Sequence, residues 1–403
     1  MSTPDGALFS DPFHNEFGTW MLGYSPAGGG DFGEVAAVGR AVGDGDDGAF
    51  FDAWVAAGDR VRAEADAAAA AGRPGASDLY LRASAFYASS YHPLFGTPVD
   101  PRLLDGFRRQ IGAFDTGMAL RGIHPAAVPV GDARVPAYLV PAFGRETEVR
   151  PLLILVNGYD ATVTDSYFAS AVAALRRGYH CLLFDGPGQG AVLFEQGVPM
   201  RPDWEVVVSA IIDHALTSPI VDPDRIAVSG WSLGGYLAPR AASGDARIAA
   251  CIADPGQQDL GAGLSTFARR LGATEDEAAD PSGLDDAVVD RLMGVIAQDR
   301  KLRWSIVQRG FWVNGVSDLK SFLARSTEYR IDRVADIRCP VLLTRAEGDP
   351  LVAGVPAFAA ALPDATVIDF TAAEGAGGHC SMQNRSILNR RALDWLDDVL
   401  AAR

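Results

Sequence analysis

The stretch Arg225-Ile-Ala-Val-Ser-Gly-Trp-Ser-Leu-Gly-Gly-Tyr236 decides the reading of this chain. A β-branched run leads straight into Gly230-Trp231-Ser232-Leu233-Gly234, and a helix-compatible segment follows to Ala242, with Pro239 arguing against a long unbroken helix. Strand, sharp turn and helix around a G-x-S-x-G pattern predict a nucleophile elbow. The reason is steric. A serine on so tight a turn has a strained backbone, and side chains two residues before and after it would collide; glycine at 230 and 234 removes the collision.

A serine hydroxyl needs a base, and in such folds the chain order is Ser, then Asp or Glu, then His. Of the six histidines, only His379 follows Ser232, in the glycine-rich run Glu374-Gly-Ala-Gly-Gly-His379-Cys. Asp349 is expected as the acid, because it follows the apolar strand candidate that starts at Pro340 and precedes His379. Asp254, which also follows a strand, is the weaker candidate, since Asp254-Pro-Gly opens into the next segment. An oxyanion hole calls for two backbone N–H groups. One is that of Leu233, after the nucleophile. The other is expected in Asn157-Gly-Tyr-Asp160, at Tyr159 or, second choice, Gly158.

The 403 residues suit one large domain with insertions or two domains. A hydrophobic content of 48% supports a full core, and no apolar run approaches the ~18 residues of a membrane span. The N-terminus carries neither a basic n-region nor an apolar h-region, so no signal peptide is read. The four cysteines lack metal-ligand spacing and suit reduced thiols, which predicts a cytoplasmic enzyme. A net charge of −16 argues against nucleic acid and anionic membrane surfaces as partners and says little about the substrate, which is expected to be a small molecule. No metal or organic cofactor is expected. A homodimer is compatible with the sequence, which does not fix the oligomeric state.

Residues 1–122 read as a helical domain: Phe51 to Ala71, a second helix capped by Ser77 and running to Tyr91, and a third from Pro101 to about Leu120. Pro26-Ala-Gly-Gly-Gly30 is a loop, since no strand leads into it. From 123 onward the period becomes strand-like. Val128–Val130 and Arg134–Val140 form an antiparallel pair joined at Gly131-Asp132. Leu152–Val156, Cys181–Phe184, Ile248–Ala253 and Val341 onward read as buried parallel strands. Asp185-Gly-Pro-Gly-Gln-Gly190 lacks the Gly-Lys-Ser/Thr ending of a phosphate loop and is expected at the rim of the site. Residues 257–335 interrupt the alternation with helices and an acidic, solvated stretch. They are expected to form a lid inserted before the acid-bearing strand. Thr366–Phe370 completes the sheet, and a helix from Met382 to Leu400 ends the chain.

The chain resembles α/β-hydrolases of the dihydroxypseudooxynicotine hydrolase type, with their fungal polyketide-shortening relatives and the fermentation–respiration switch esterases. The matching stretches are Leu81-Arg-Ala-Ser-Ala-Phe-Tyr87, Asn157–Asp160, Phe184–Gly190, Gly230–Gly235, Arg309-Gly-Phe-Trp-Val-Asn-Gly315, Glu347-Gly-Asp349 and Gly378-His379. The resemblance implies an α/β-hydrolase core with a mostly parallel sheet and a triad of Ser232, Asp349 and His379. It also implies hydrolysis, in some members of a carbon–carbon bond beside a ketone. The substrate expected is a bulky, apolar aryl or polyketide-like ketone. Ester or thioester cleavage, acyl transfer and cyclisation stay open, as does a non-catalytic ligand-binding role. Trp231, Tyr236, Phe311 and Trp312, close in sequence to the elbow or lid, are candidate substrate-binding residues.

Overall fold

The two-residue turn Gly131-Asp132 starts the sheet. It joins β1 (Ala126–Val130) to β2 (Ala133–Val140) as an antiparallel pair in which Val130 faces Ala133. Gly131 supplies the positive φ of 57° that so short a turn requires. Six further runs then form the parallel strands β3 (Arg150–Val156), β4 (His180–Phe184), β5 (Val221–Trp231), β6 (Ile248–Asp254), β7 (Val341–Ala346) and β8 (Ala365–Phe370). The order across the sheet is β1-β2-β4-β3-β5-β6-β7-β8, antiparallel at the first two pairings and parallel at all others. The computed structural model describes residues 7–270, 272–280 and 283–401.

β3 and β5 lie at the centre of the sheet, and every residue of β3 from Pro151 to Val156 is buried, as its unbroken apolar sequence requires. The site follows from this topology. In an open parallel sheet, functional loops gather beyond the carboxyl ends of the strands. Here those ends bring together residues 157–160 after β3, 185–190 after β4, the elbow at the end of β5, Asp254 at the end of β6, Asp349 after β7 and the 371–380 loop after β8.

The N-terminal region is helical, with its three longest helices at Asp47–Ala70, Ala76–Ser90 and Pro101–Ala119. Asp46 and Asp100 cap the first and third, accepting from Ala49 N–H and Arg102 N–H. The second is a correction. Its N-cap is Gly75, and Ser77 lies inside the helix, its hydroxyl donating to Gly117 O of the neighbouring helix at 2.9 Å. Two further helical stretches, within Pro12–Tyr24 and at Phe32–Val42, precede them.

Between β6 and β7 the described residues hold helices and turns, and one isolated bridge, Asp259 to Arg330, ties the start of this segment to its end. The final helix starts at Arg385 rather than Met382, because Cys380 and Ser381 adopt positive φ and interrupt helical geometry ahead of it.

Candidate active site

Three strand ends converge on one hydrogen-bonded line. His379 Nε2 lies 2.9 Å from Ser232 Oγ, and His379 Nδ1 lies 2.9 Å from Asp349 Oδ2. An imidazole with one nitrogen on a carboxylate and the other on a hydroxyl can take the hydroxyl proton and hold the resulting charge.

Ser232 has φ +58°, one of three non-glycine residues with positive φ among those described. Such a conformation costs on the order of 1–3 kcal/mol and persists only where the surroundings over-determine it. Here they do. Ser232 N–H donates to Asp254 O at 2.7 Å, and Ser232 O accepts from Gln257 Nε2 at 2.6 Å. The glycine requirement read from the sequence is visible in space: a Cβ on Gly230 would stand 1.9 Å from Gly234 O, and one on Gly234 would stand 2.4 Å from Val156 O.

Asp349 sits in a turn just past β7, its Oδ1 accepting Leu351 N–H at 3.0 Å. Its side chain is 1% exposed. Burial pushes its carboxyl up, but the bond to His379 and nearby N–H groups outweigh burial and hold it below the ordinary carboxylate range. Burial disfavours charge on His379 as well. The hydrogen bond and charge of the Asp349 carboxylate oppose that and hold the imidazole above its ordinary value. His379 is carried by a loop pinned to the turn after β7, where Gly378 N–H donates to Glu347 O at 2.7 Å. Cys380 Sγ lies 3.5 Å from His379 Nε2. The side chain of His379 keeps 32% of its exposure, so the line opens toward accessible space on the histidine side.

Asp254 does not occupy the acid position. It forms a buried ion pair with Arg385 at 2.7 Å and accepts from Thr344 Oγ1 at 2.6 Å. Sequence reasoning missed this pair, whose members are 131 residues apart. Arg385 also donates to Cys380 O at 2.8 Å, so the pair buttresses the histidine loop from behind.

The 157–160 loop abuts the serine. A Cβ on Gly158 would lie 2.7 Å from Ser232 Cβ and 3.2 Å from its Oγ. Among the described residues, neither Leu233 N–H nor Tyr159 N–H is taken up by a hydrogen bond of the chain. Behind the loop lies a buried polar layer. Asn157 Nδ2 donates to Asp185 Oδ1 at 2.8 Å, while Ser166 Oγ and Trp231 Nε1 donate to Asn157 Oδ1. Burial, and then the nearby Asp165, hold the Asp185 carboxyl well above the carboxylate range. The Asp185–Gly190 loop, expected at the rim, is therefore part of the support: Asp185 and Gln189 are each 1% exposed.

The four candidate substrate-binding aromatics are all buried. Arg385 packs over Trp231, its Cζ 5.6 Å from the centroid of the indole ring. Tyr236 is fully buried and donates to Pro202 O at 3.2 Å. Phe311 packs on Phe322 within the inserted segment, and Trp312 stacks on Phe194. All four are core side chains; nearness in sequence to the elbow does not decide which way a side chain faces. The inserted segment reaches the site through other residues. Asn314 Nδ2 donates to Tyr159 OH at 2.6 Å, and Arg309 lies over the Tyr159 ring while pairing with Asp160 at 3.2 Å.

The chain belongs to the alpha/beta hydrolase family, whose model matches residues 153–388. It is 35% identical over 365 residues to hydrolase acrC of Aspergillus aculeatus, covering 84% of this chain and 82% of that one. To the 20-hydroxy-prefusarin hydrolase FUS2 of Gibberella moniliformis it is 32% identical over a 421-position alignment that spans 97% of each chain. The crystal structure of the 2,6-dihydroxy-pseudo-oxynicotine hydrolase shares the fold over 94% of this chain and 96% of its own, with a TM-score of 0.73 at 21% identity.

Proposed function

We propose that this hydrolase uses Ser232 as its nucleophile and cleaves a bulky, largely apolar carbonyl compound at a carbon–carbon bond beside a ketone, through an acyl-enzyme. The observation that carries the serine mechanism is the Ser232–His379–Asp349 line, with both links at 2.9 Å. Ser232 Oγ attacks the carbonyl carbon while His379 Nε2 takes its proton. The oxygen of the tetrahedral intermediate lies between Leu233 N–H and Tyr159 N–H. Asp349 orients the imidazole and stabilises its charged form. Collapse expels the leaving group, which receives the proton from His379. His379 then deprotonates a water, whose attack releases the acid product and free Ser232.

A carbon leaving group departs only if its negative charge is delocalised, as by a second ketone or an electron-rich phenol, and bulk water must be kept away until it is protonated. The inserted helices, which touch Tyr159 and Asp160, support this reading because they can close over such a substrate. The relative named for 20-hydroxy-prefusarin supports a secondary-metabolite, polyketide-like substrate for this chain as well. One observation favours the second reading, an ester or thioester: the 32% exposure of His379 leaves the base within reach of water.

Matched substrates separate the two. An aryl β-diketone and the aryl ester of similar shape are assayed with wild type and with Ser232→Ala. Turnover of the diketone that Ser232→Ala abolishes supports cleavage at carbon. An ester turned over orders of magnitude faster, with the diketone untouched, makes the protein an esterase. Substantial turnover by Ser232→Ala removes the serine mechanism itself. Among the described residues no helix is long and apolar enough to cross a membrane; a cytoplasmic location and a monomer or homodimer are the accompanying proposals.

A further inference from the structure

We infer that Gln189 is a positioning residue for the oxyanion site, its carboxamide fixing the two peptide planes that carry the Gly158 and Tyr159 N–H groups. The inference rests on the serine mechanism proposed above. Gln189 Nε2 donates to Asn157 O at 2.8 Å and to Gly158 O at 2.9 Å, so both its hydrogens are used. Its Oε1 accepts Gly186 N–H at 3.0 Å, which fixes which end of the amide faces the loop. The side chain is 1% exposed.

In a trans peptide the carbonyl and the following N–H point in opposite directions. Gly158 N–H shares its plane with Asn157 O, and Tyr159 N–H shares its plane with Gly158 O. Along an extended strand successive carbonyls alternate in direction. Here two successive carbonyls converge on one nitrogen, so the two N–H groups behind them are turned together to the opposite side, as in an anion-binding nest. On a face of that loop stands the nucleophile, close enough that a Cβ on Gly158 would meet Ser232 Cβ at 2.7 Å. A single backbone N–H could not hold two carbonyls, and a carboxylate would repel them; a primary amide has the two hydrogens the arrangement needs.

The 185–190 loop is shaped to deliver that amide. Gly188 and Gly190 have φ of +81° and +40°. A Cβ at 188 would stand 2.6 Å from Met200 Cβ, and one at 190 would stand 2.1 Å from Asp185 Oδ2. The glycines thus fold the loop tightly under residues 157 and 158, and Gln189 is the side chain presented there.

The test compares wild type, Gln189→Met and Gln189→Glu, with Ser232→Ala as the control. The probe is a fluorophosphonate, which phosphonylates an activated serine whatever the natural substrate and develops charge on its P–O oxygen. The amplitude of labelling counts folded sites and its rate reads the site, so partial misfolding does not obscure the result. Saturation kinetics should give a maximal labelling rate lower by on the order of 10- to 100-fold in Gln189→Met, and at least as much in Gln189→Glu, with half-saturation within about threefold of wild type. Affinity for an aryl trifluoromethyl ketone, whose adduct carries an oxyanion, should fall in parallel. A purely structural role would instead reduce amplitude or thermal midpoint and leave the rate per labelled site unchanged. A wild-type rate in either variant, or an unchanged trifluoromethyl ketone affinity, overturns the inference. The serine mechanism fails in a different way, by labelling that persists in Ser232→Ala.

Discussion

The N-terminal helices and the helices inserted between β6 and β7 differ in how they are joined to the sheet. Aromatic residues of the N-terminal region, among them Phe50, Trp54, Phe107 and Phe114, belong to one hydrophobic core continuous with the central strands. A buried polar seam runs through the same junction: Tyr24 OH donates to Asp165 at 2.9 Å, and Gln110 Nε2 donates to Thr162 and Thr164 at 2.7 and 2.9 Å. The inserted segment has a core of its own, built from residues such as Leu292, Ile296, Phe311, Phe322 and Leu323. It meets the main core through Trp304, Trp312, Val313, Tyr329, Ile331 and Val334. A segment that shares the main core cannot leave it without exposing the sheet. One with a separate core can change its angle to the sheet and stay folded. The first arrangement suits a fixed wall of the site, and the second suits a lid.

The strongest way to break this comparison is deletion. Removal of residues 1–122 should uncover a large apolar face and give aggregated or inactive protein, read by size-exclusion chromatography and activity. A soluble, fully active remainder would make the N-terminal region a detachable module. A matched pair of core truncations comes next. Phe107→Ala should cost about 3–5 kcal/mol in global unfolding, as buried Phe-to-Ala changes do. Phe322→Ala, the same chemistry in the inserted core, should act locally. Hydrogen exchange should quicken across the inserted helices while amides of β3 and β5 keep their protection. Equal loss of protection in both places would show a single cooperative unit. A smaller effect is expected at the seam, where Tyr24→Phe removes one donor to buried Asp165 and should cost about 1–3 kcal/mol in urea unfolding.

The smallest effect is on pH dependence, where Asp349, in the turn after β7, meets loop-borne His379. The base works as neutral imidazole, so activity rises with pH as His379 loses its proton. Because the Asp349 carboxylate raises the pKa of His379 against the effect of burial, the acid limb of kcat/KM should lie above the ordinary imidazole value of about 6.5. Asp349→Asn removes the negative charge and should move that limb to lower pH while lowering the maximum. A limb that stays in place would mean that Asp349 does not set the charge on His379.

Much of this was legible in sequence, for reasons that residue order carries. The elbow is local, its glycines and serine lying within five residues. The pairing of Ser232 with Asp349 and His379 could be anticipated because chain order left one histidine, and strand positions left two acids. The β1–β2 hairpin could be read from Gly131-Asp132 and the period change around it. Other features depend on partners far along the chain. Asp254 was a plausible acid until Arg385 was found against it. Ser77 has the chemistry of a cap, yet a neighbouring helix offers it Gly117 O instead. Gln189 stood in a loop recognisable by its glycines, but its two acceptors belong to the loop after another strand. Trp231 and Tyr236 are adjacent to the serine in sequence and buried in the structure. Periodicity shows that such side chains are apolar, and only the packing shows which face of the sheet they join.

The central claim is that Ser232 is the activated nucleophile of this line, and peptide mass spectrometry after fluorophosphonate labelling tests it most directly. Wild type should carry one adduct, on the peptide that contains Ser232. Ser232→Ala should carry none, and His379→Ala should label slower by orders of magnitude. An adduct on another residue, or labelling of Ser232→Ala at the wild-type rate, would contradict the account.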